Sequence, residues 1–401
     1  MSNGVGIAAL VNDSAVDLVQ KMMAIPGRSG QEGGIARFVV EQLQAAGVDG
    51  KAIQFDTANK KSPFGGEVGN LIVKLPGTLK GPRRLLMAHL DTVPLCVGAE
   101  PVRDGKIIRS KNPKTALGGD DRAGCATILN ALLLIKKHQL PHPPLTFLFG
   151  IQEEVGLVGA RFVSANKLGS PKLCFNWDGG AAHLTTVGAT GDDHIAIEIT
   201  GIASHAGVHP EQGVSAIAIA ANAISSLVEE GWFGKVVKGK KAGTSNIGVI
   251  QGGDATNVVT DRLVLKAEAR SHDPAFRAKI VEAYRKAFVK AARTLKNSEG
   301  KTGRVAFESQ HKYESFRIDP QSEVVERASA AIRQIGRAPE LKISNGGLDA
   351  NWMFTHGFPT VTLGCGQSGI HTVNEQLMVD EFLDACRVAL LLATGSESVP
   401  Q

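Results

Sequence analysis

A histidine and an aspartate two residues apart, in His89-Leu90-Asp91-Thr92, open a series of ionisable residues whose types fit metal chemistry. Downstream come Asp120 and Asp121 after Gly118-Gly119, the pair Glu153-Glu154, Asp178 before Gly179-Gly180, and His371 after Gly369-Ile370. In an extended chain residues i and i+2 share a face, so His89 and Asp91 can enter one cleft while Leu90 packs the other way. One imidazole can then bind a metal while the carboxylate behind it orients the ring and raises its basicity. Adjacent glutamates at a strand end face apart, which suits two jobs: one carboxylate on a metal, the other free to take a proton from water. The set reads as a binuclear metal hydrolase site.

Positioning these residues requires strands that end together. Leu85-Leu86-Met87-Ala88 runs into His89, Leu145-Thr146-Phe147-Leu148-Phe149-Gly150-Ile151 leads to Glu153, and Leu173-Cys174-Phe175-Asn176-Trp177 leads to Asp178. Pro359-Thr360-Val361-Thr362-Leu363 precedes a glycine-rich bend and His371. Each is an apolar run of strand length with its polar residue at the carboxyl end, where open α/β sheets place their ligands. Ile35, Phe38, Val39 and Leu43 fall at helical spacing and stop at Gly47. Residues 1–188 therefore alternate helices and strands, which implies a largely parallel sheet covered by helices. From 189 to 303 the order is a strand (194–200), a helix (214–229), strands at 246–251 and 263–269, and a helix from Pro274 to about Leu295. That order predicts an α+β insert. Residues 304–401 return to the first pattern and supply His371, so both flanks of the insert must build one catalytic domain.

Three motifs carry a family resemblance: Met87-Ala88-His89-Leu90-Asp91-Thr92-Val93-Pro94, Ala116-Leu117-Gly118-Gly119-Asp120-Asp121-Arg122-Ala123-Gly124 and Gly150-Ile151-Gln152-Glu153-Glu154-Val155-Gly156-Leu157. With them the chain resembles the M20 metallopeptidases, in particular the peptidase T-like branch, from about Val16 to near Leu392. The resemblance implies a zinc-peptidase-like catalytic domain interrupted by a lid and dimerisation domain. It assigns His89 and Asp178 to one metal, Glu154 and His371 to the other, and Asp120 to both. Asp91 would orient His89, and Glu153 would be the general base acting on a water activated between the ions. Two divalent ions per subunit follow, with Zn²⁺ first and Co²⁺ or Mn²⁺ as alternatives.

The insert holds its own candidates. Gly201-Ile202-Ala203-Ser204-His205-Ala206-Gly207 resembles the family's lid motif, in which the histidine reaches substrate across a dimer interface; a turn hydrogen bond is the plainer role for His205. Asn257 and Arg270 match substrate-contacting positions, and the planar fork of Arg270 suits a substrate carboxylate as well as it suits a surface ion pair. His183, His194, His209, His272 and His356 match no ligand position. Gly364-Cys365-Gly366-Gln367-Ser368-Gly369 spells a dinucleotide fingerprint, but no helix or βαβ unit follows, so these glycines are expected to shape the His371 loop. Asn345 departs from the resemblance: tripeptidases of this family carry Arg before the Gly-Gly that follows here.

Composition bounds the alternatives. The 401 residues are 43% hydrophobic, enough for substantial cores, and the five cysteines are scattered without a C-x-x-C pair, as expected of buried small side chains. The net charge of +5 is dispersed except for Lys235, Lys238, Lys240 and Lys241, which read as a solvated loop, so no nucleic acid partner is expected. Residues 1–20 lack a basic start followed by an apolar stretch, and no run of 18 apolar residues occurs, so a cytoplasmic protein without membrane partners is expected. The expected function is aminopeptidase cleavage of short peptides by a homodimer built through the lid. A deacylase or carboxypeptidase of the same clan, acting on N-acyl amino acids, is the enzymatic alternative. A non-catalytic metal-binding scaffold is the third reading, and a base such as Glu153 beside a ligand argues against it.

Overall fold

The apolar runs form strands at Arg84–His89, Leu145–Gly150, Leu173–Trp177 and Thr360–Leu363. Their residues are buried throughout, as in strands covered on both faces. The computed structural model describes residues 3–397. The chain divides into two units: Met1–Gly188 with Arg317–Ser344 and Leu348–Gln401, and Ala189–Phe316 with Asn345–Gly347.

In the first unit a nine-stranded sheet has Arg84–His89 between Leu145–Gly150 and Leu173–Trp177, both parallel to it. Thr360–Leu363 adds to Leu173–Trp177, again parallel. Antiparallel neighbours, Leu71–Leu75 on one side and Leu184–Ala189 on the other, flank this parallel centre. Parallel pairing has a direct consequence: all four central strands deliver their carboxyl ends, and the residues after them, to one edge of the sheet. The chain crosses from one side of Arg84–His89 to the other between Leu145–Gly150 and Leu173–Trp177, which opens a crevice at that edge.

Helix Gly119–His138 packs against Arg84–His89, Val379–Thr394 and Asp13–Met23. Its residues from Gly119 to Leu132 are all buried, the polar Asp120, Asp121, Arg122, Thr127 and Asn130 among them, which places the helix in the core. Each buried leucine or isoleucine there contributes roughly 1.5–3 kcal/mol, while the turn at Gly118, itself at φ 80, has no side-chain cap. The backbone leaves the helical conformation at Asp120 and Asp121, and Asp121 accepts the Gly124 N–H at 3.0 Å to start the regular helix, so the N–H groups of the turn before it need acceptors from elsewhere.

The second unit is a five-stranded sheet in the order Gly234–Lys238, Lys241–Gly252, Arg262–Ser271, Gly191–Thr200, Arg304–Tyr313, antiparallel throughout. Ile195, Ile197 and Ile199 alternate inward and join Ile219, Ala223, Phe276, Ile280, Tyr284 and Phe288 of the helices Ala216–Glu229 and Pro274–Thr294 in one core. Asp273 accepts the Phe276 N–H at 3.1 Å and Pro274 opens the helix, a local start signal present in the sequence.

Two expectations are corrected. Arg304–Tyr313 was expected to begin the closing catalytic segment, yet it pairs along its length with Gly191–Thr200, so the second unit runs to Phe316. The lysines expected in a solvated loop lie on a hairpin: Lys238 faces Lys241 in register, and Gly239 at φ 61 closes the turn. Charged side chains on an edge strand discourage pairing with other chains, which is compatible with a strand where composition alone signalled a loop. All five cysteines are buried and free.

Candidate metal centre

His89 closes its strand opposite Gly150, and Leu90 donates its N–H to the Gly150 carbonyl at 2.7 Å. The imidazole is 2% exposed. Its Nδ1 lies 3.0 Å from the Asp91 carbonyl and 3.4 Å from Asp91 Oδ1, while Nε2 lies 3.3 Å from Asp120 Oδ1. Asp91 has a further task that spacing did not reveal. Its Oδ1 accepts the Glu153 N–H at 2.9 Å, and its Oδ2 accepts the Glu154 N–H at 3.2 Å and the Ser29 hydroxyl at 2.6 Å. One buried carboxylate thus touches His89 and pins the backbone of both glutamates.

Asp120 offers one oxygen to each imidazole: Oδ1 faces His89, and Oδ2 is 3.2 Å from His371 Nε2. His371 Nε2 is also 2.9 Å from Glu154 Oε2. His371 sits at φ 62, beyond the short strand Gln367–Ser368 and before its partner Gln376–Met378. Donor atoms of His89, Asp120 and Glu154 all lie within 4.8 Å of one another, and so do those of His89, Asp121 and Asp178. The structure therefore gathers His89, Asp91, Asp120, Glu154, Asp178 and His371 at the carboxyl edge of the sheet, with Glu153 beside Glu154.

The electrostatics are those of crowded carboxylates. Burial, reinforced by Asp120, pushes Asp178 up to about 8. Burial also raises Glu153 well above the usual carboxylate range, with Asp178, Asp349 and Glu154 adding to it against the pull of His89. Glu154 and Asp121 are raised by burial as well. Burial alone would raise Asp120 too, but its hydrogen bonds with His371 and His89 outweigh that and hold it low. Conversely, hydrogen bonds to Asp120 and Glu154 lift His371 to about 10. Two imidazoles do not balance this much negative charge. Two divalent cations would, and the donor set of imidazole nitrogens and carboxylate oxygens fits Zn²⁺, Co²⁺ or Mn²⁺.

Several buried residues had no role in the sequence reading. Asp121 accepts the His89 N–H at 3.1 Å, the Gly124 N–H at 3.0 Å and the Gln367 side-chain amide at 2.9 Å. Glu32 accepts the N–H groups of Gly30 at 2.8 Å and Gln152 at 3.2 Å. Asp349, at 2% exposure, is lifted to about 7 by burial, with Asp91 adding to it. The signals were faint: Asp121 stood beside Asp120 in its motif and Asp349 ended Gly346-Gly347-Leu348-Asp349, but neither spacing told a ligand from a support.

The remaining candidates lie in the second unit. His205 is exposed, its Nδ1 accepts the Gly207 N–H at 3.2 Å, and Ala206 donates to the Asn257 carbonyl at 2.9 Å, so the His205 and Asn257 segments are neighbours. Arg270 pairs with Glu268 at 2.9 Å and lies 3.8 Å from Asp192. Of the histidines without an expected ligand role, His356 reaches the Ala160 carbonyl at 3.0 Å and His272 reaches Asn345 Oδ1 at 3.0 Å. His194 lies 3.2 Å from Asp192 and groups with Asp192 and Glu268, where the Arg270 guanidinium already supplies positive charge.

A sheet with a parallel centre, imidazoles and carboxylates at its carboxyl edge, and a second, antiparallel α+β unit in the same chain are the build of a metallopeptidase. Residues 85–394 match Peptidase family M20/M25/M40, and the chain belongs to that family. Among solved structures it is similar to a tripeptidase of Staphylococcus aureus, at 32% identity and a TM-score of 0.87 over 96% of this chain and 99% of the other. It is likewise similar to the aminopeptidase PepT of Bacillus cereus, at 31% identity and a TM-score of 0.84 over 97% and 100%. The uncharacterised protein YqjE of Bacillus subtilis is 32% identical over 373 residues, 93% of this chain and 95% of its own length. Within the family the chain falls in the peptidase T-like branch.

Proposed function

We propose that the protein is a two-metal aminopeptidase acting on short peptides. The observation that carries this reading is Asp120, which places one carboxylate oxygen against each of two imidazoles beside Glu154, with Glu153 adjacent. In this reading His89 and Asp178 hold one ion, Glu154 and His371 the other, and Asp120 both. Two divalent ions, Zn²⁺ by preference, supply a lowered water pKa and a polarised scissile carbonyl. Glu153 accepts the proton of the attacking water and returns it to the leaving amine. Burial raises the affinity of its carboxyl for a proton above that of an exposed glutamate. Asp91 keeps both glutamates in place through their backbone N–H groups.

His205, Asn257 and Arg270 are read as substrate contacts of a lid, with His205 serving the partner subunit of a homodimer. Exposed Ile217 and Val228 on helix Ala216–Glu229 support an interface there. No helix among the described residues is long and apolar enough to cross a membrane, and we place the enzyme in the cytoplasm. The similarity to a tripeptidase and to PepT favours peptides with a free α-amine. Asn345, hydrogen bonded to His272 rather than presenting an arginine, favours a broader choice of substrate than tripeptides alone.

A panel of di- and tripeptides and N-acyl amino acids, with metal content measured on the same sample, tests the reading. Turnover of peptides only when their α-amine is free is expected; preference for N-acyl amino acids would establish the deacylase alternative. Glu153→Gln should keep both ions and lose at least ~10²-fold in kcat. Wild-type turnover in that metal-replete variant would remove Glu153 as the base.

A further inference from the structure

Glu375 is 2% exposed, and its carboxylate contacts no side chain of a proposed ligand but binds the backbone of the turn that carries Asp120. Its Oε2 accepts the N–H groups of Leu117 and Gly118, each at 2.8 Å, and its Oε1 accepts that of Asp120 at 3.0 Å. These donors belong to the buried turn before the kink at Asp120 and Asp121; beyond the kink Asp121 caps the regular helix, but no side chain of the turn itself takes up these N–H groups. A carboxylate more than 250 residues away along the chain fills that place. The fit is close: a Cβ on Gly119 would stand 3.2 Å from Glu375 Oε1.

Glu375 is also the last residue of the loop that carries His371. The strands Gln367–Ser368 and Gln376–Met378 pair antiparallel, with Ser368 opposite Gln376, so the chain between them forms the tip of a hairpin. Within the tip Glu375 donates its N–H to the Thr372 carbonyl at 3.1 Å, and the Thr372 hydroxyl donates to the Gly369 carbonyl at 2.7 Å. One residue therefore fastens the base of the His371 hairpin to the turn that presents Asp120. Those are the two side chains whose Nε2 and Oδ2 lie 3.2 Å apart. Glu154, by contrast, is held through its backbone by Asp91, and His89 ends a central strand.

We propose that Glu375 is a positioning residue that sets the separation of Asp120 and His371, and hence the affinity of the ion they share with Glu154; the proposal rests on the two-metal reading above. Replacing its carboxylate with an amide turns one acceptor into a donor aimed at backbone N–H groups. The His371 side should then loosen while the His89 side, built on strand ends, changes less. Residues that support metal ligands commonly account for 10–100-fold in affinity.

Co²⁺ titration of metal-free full-length protein, followed by visible absorption and calorimetry, tests this in wild type, Glu375→Gln, His371→Ala and the double variant. Wild type should bind two ions. Glu375→Gln should weaken one of them by about 10–100-fold, and in the His371→Ala background it should have little further effect on the ion that remains. Unchanged affinities at both sites, with only a lower melting temperature of the metal-free protein, would overturn the proposal in favour of a purely structural role. Equal weakening of both sites would do the same. Should Glu375→Gln fail to fold, Glu375→Asp, which keeps the charge on a shorter arm, is read by the same titration, and failure of both to fold also counts as a structural role. Fewer than two ions in wild type would instead bring down the two-metal reading itself.

Discussion

Asp120 and Glu32 show how differently two buried carboxylates can act a few residues from one centre. Asp120 faces both imidazoles, so Asp120→Ala is expected to lower occupancy of both ions, read by elemental analysis; two tightly bound ions per chain in that variant would place the shared ligand elsewhere. Glu32 has no proposed ligand role. Burial, with Asp91 adding to it, raises its pKa from 4.5 to about 7. The folded state therefore holds this proton more tightly than the unfolded chain. The contribution to stability is fully present below about 4.5 and is lost as pH climbs through about 7. At about 1.4 kcal/mol per pKa unit the loss is on the order of 3–4 kcal/mol at most. Urea unfolding of metal-free protein should show Glu32→Gln with a flatter decline over that window than wild type, and parallel profiles would exclude Glu32 as a source of the slope.

At the scale of elements, the centre depends on how closely helix Gly119–His138 approaches the strand Leu173–Trp177. A Cβ at Gly124 would lie 2.2 Å from the Trp177 carbonyl oxygen and 2.4 Å from Asp121 Oδ1. Neither neighbour can yield: one is backbone in a central strand, and the other is already engaged by His89, Gly124 and Gln367. Gly124→Ala should therefore lose about 3 kcal/mol of stability, the upper part of the range for overpacking, and weaken metal binding as well. A denaturation midpoint equal to wild type would mean that the helix can withdraw from the sheet without cost. The apolar runs that form the sheet were legible in the sequence because a strand buried on both faces is written as consecutive apolar residues. The hairpin at Lys238 and Lys241 was not, because an edge strand with lysines has the composition of a loop.

For the whole molecule, the proposed reading joins the two units functionally across a dimer. His205→Ala should keep its metals and lose roughly 10²–10³ in kcat if the imidazole steadies the developing oxyanion. Mixing it with Glu153→Gln under subunit exchange should restore activity, because one site of each heterodimer would combine an intact Glu153 with an intact His205. No recovery despite demonstrated exchange would leave His205 with the turn it makes to Gly207. Chelation should abolish peptide turnover, and divalent ions should restore it.

Local sequence singled out most of the candidate residues and the strands that carry them, because a polar residue at a strand end is a local pattern: an apolar run, then a carboxylate or a histidine. His89, Glu153, Glu154 and Asp178 were legible as candidates in this way, and His371 after a glycine-rich bend. Asp120, at the entry of helix Gly119–His138, follows no strand, and the sharing of ligands between two ions came only from the M20 resemblance. Tertiary structure alone decided what holds them. The Glu375 carboxylate reaches N–H groups more than 250 residues away in the chain, and Asp91 serves two glutamates beyond its own neighbour His89. The reach of the second unit was decided there too, since Arg304–Tyr313 declares its membership only by pairing with Gly191–Thr200. Strand propensity is a property of a segment, but a pairing partner or a hydrogen-bond acceptor is a property of the folded chain, and no local spacing encodes it.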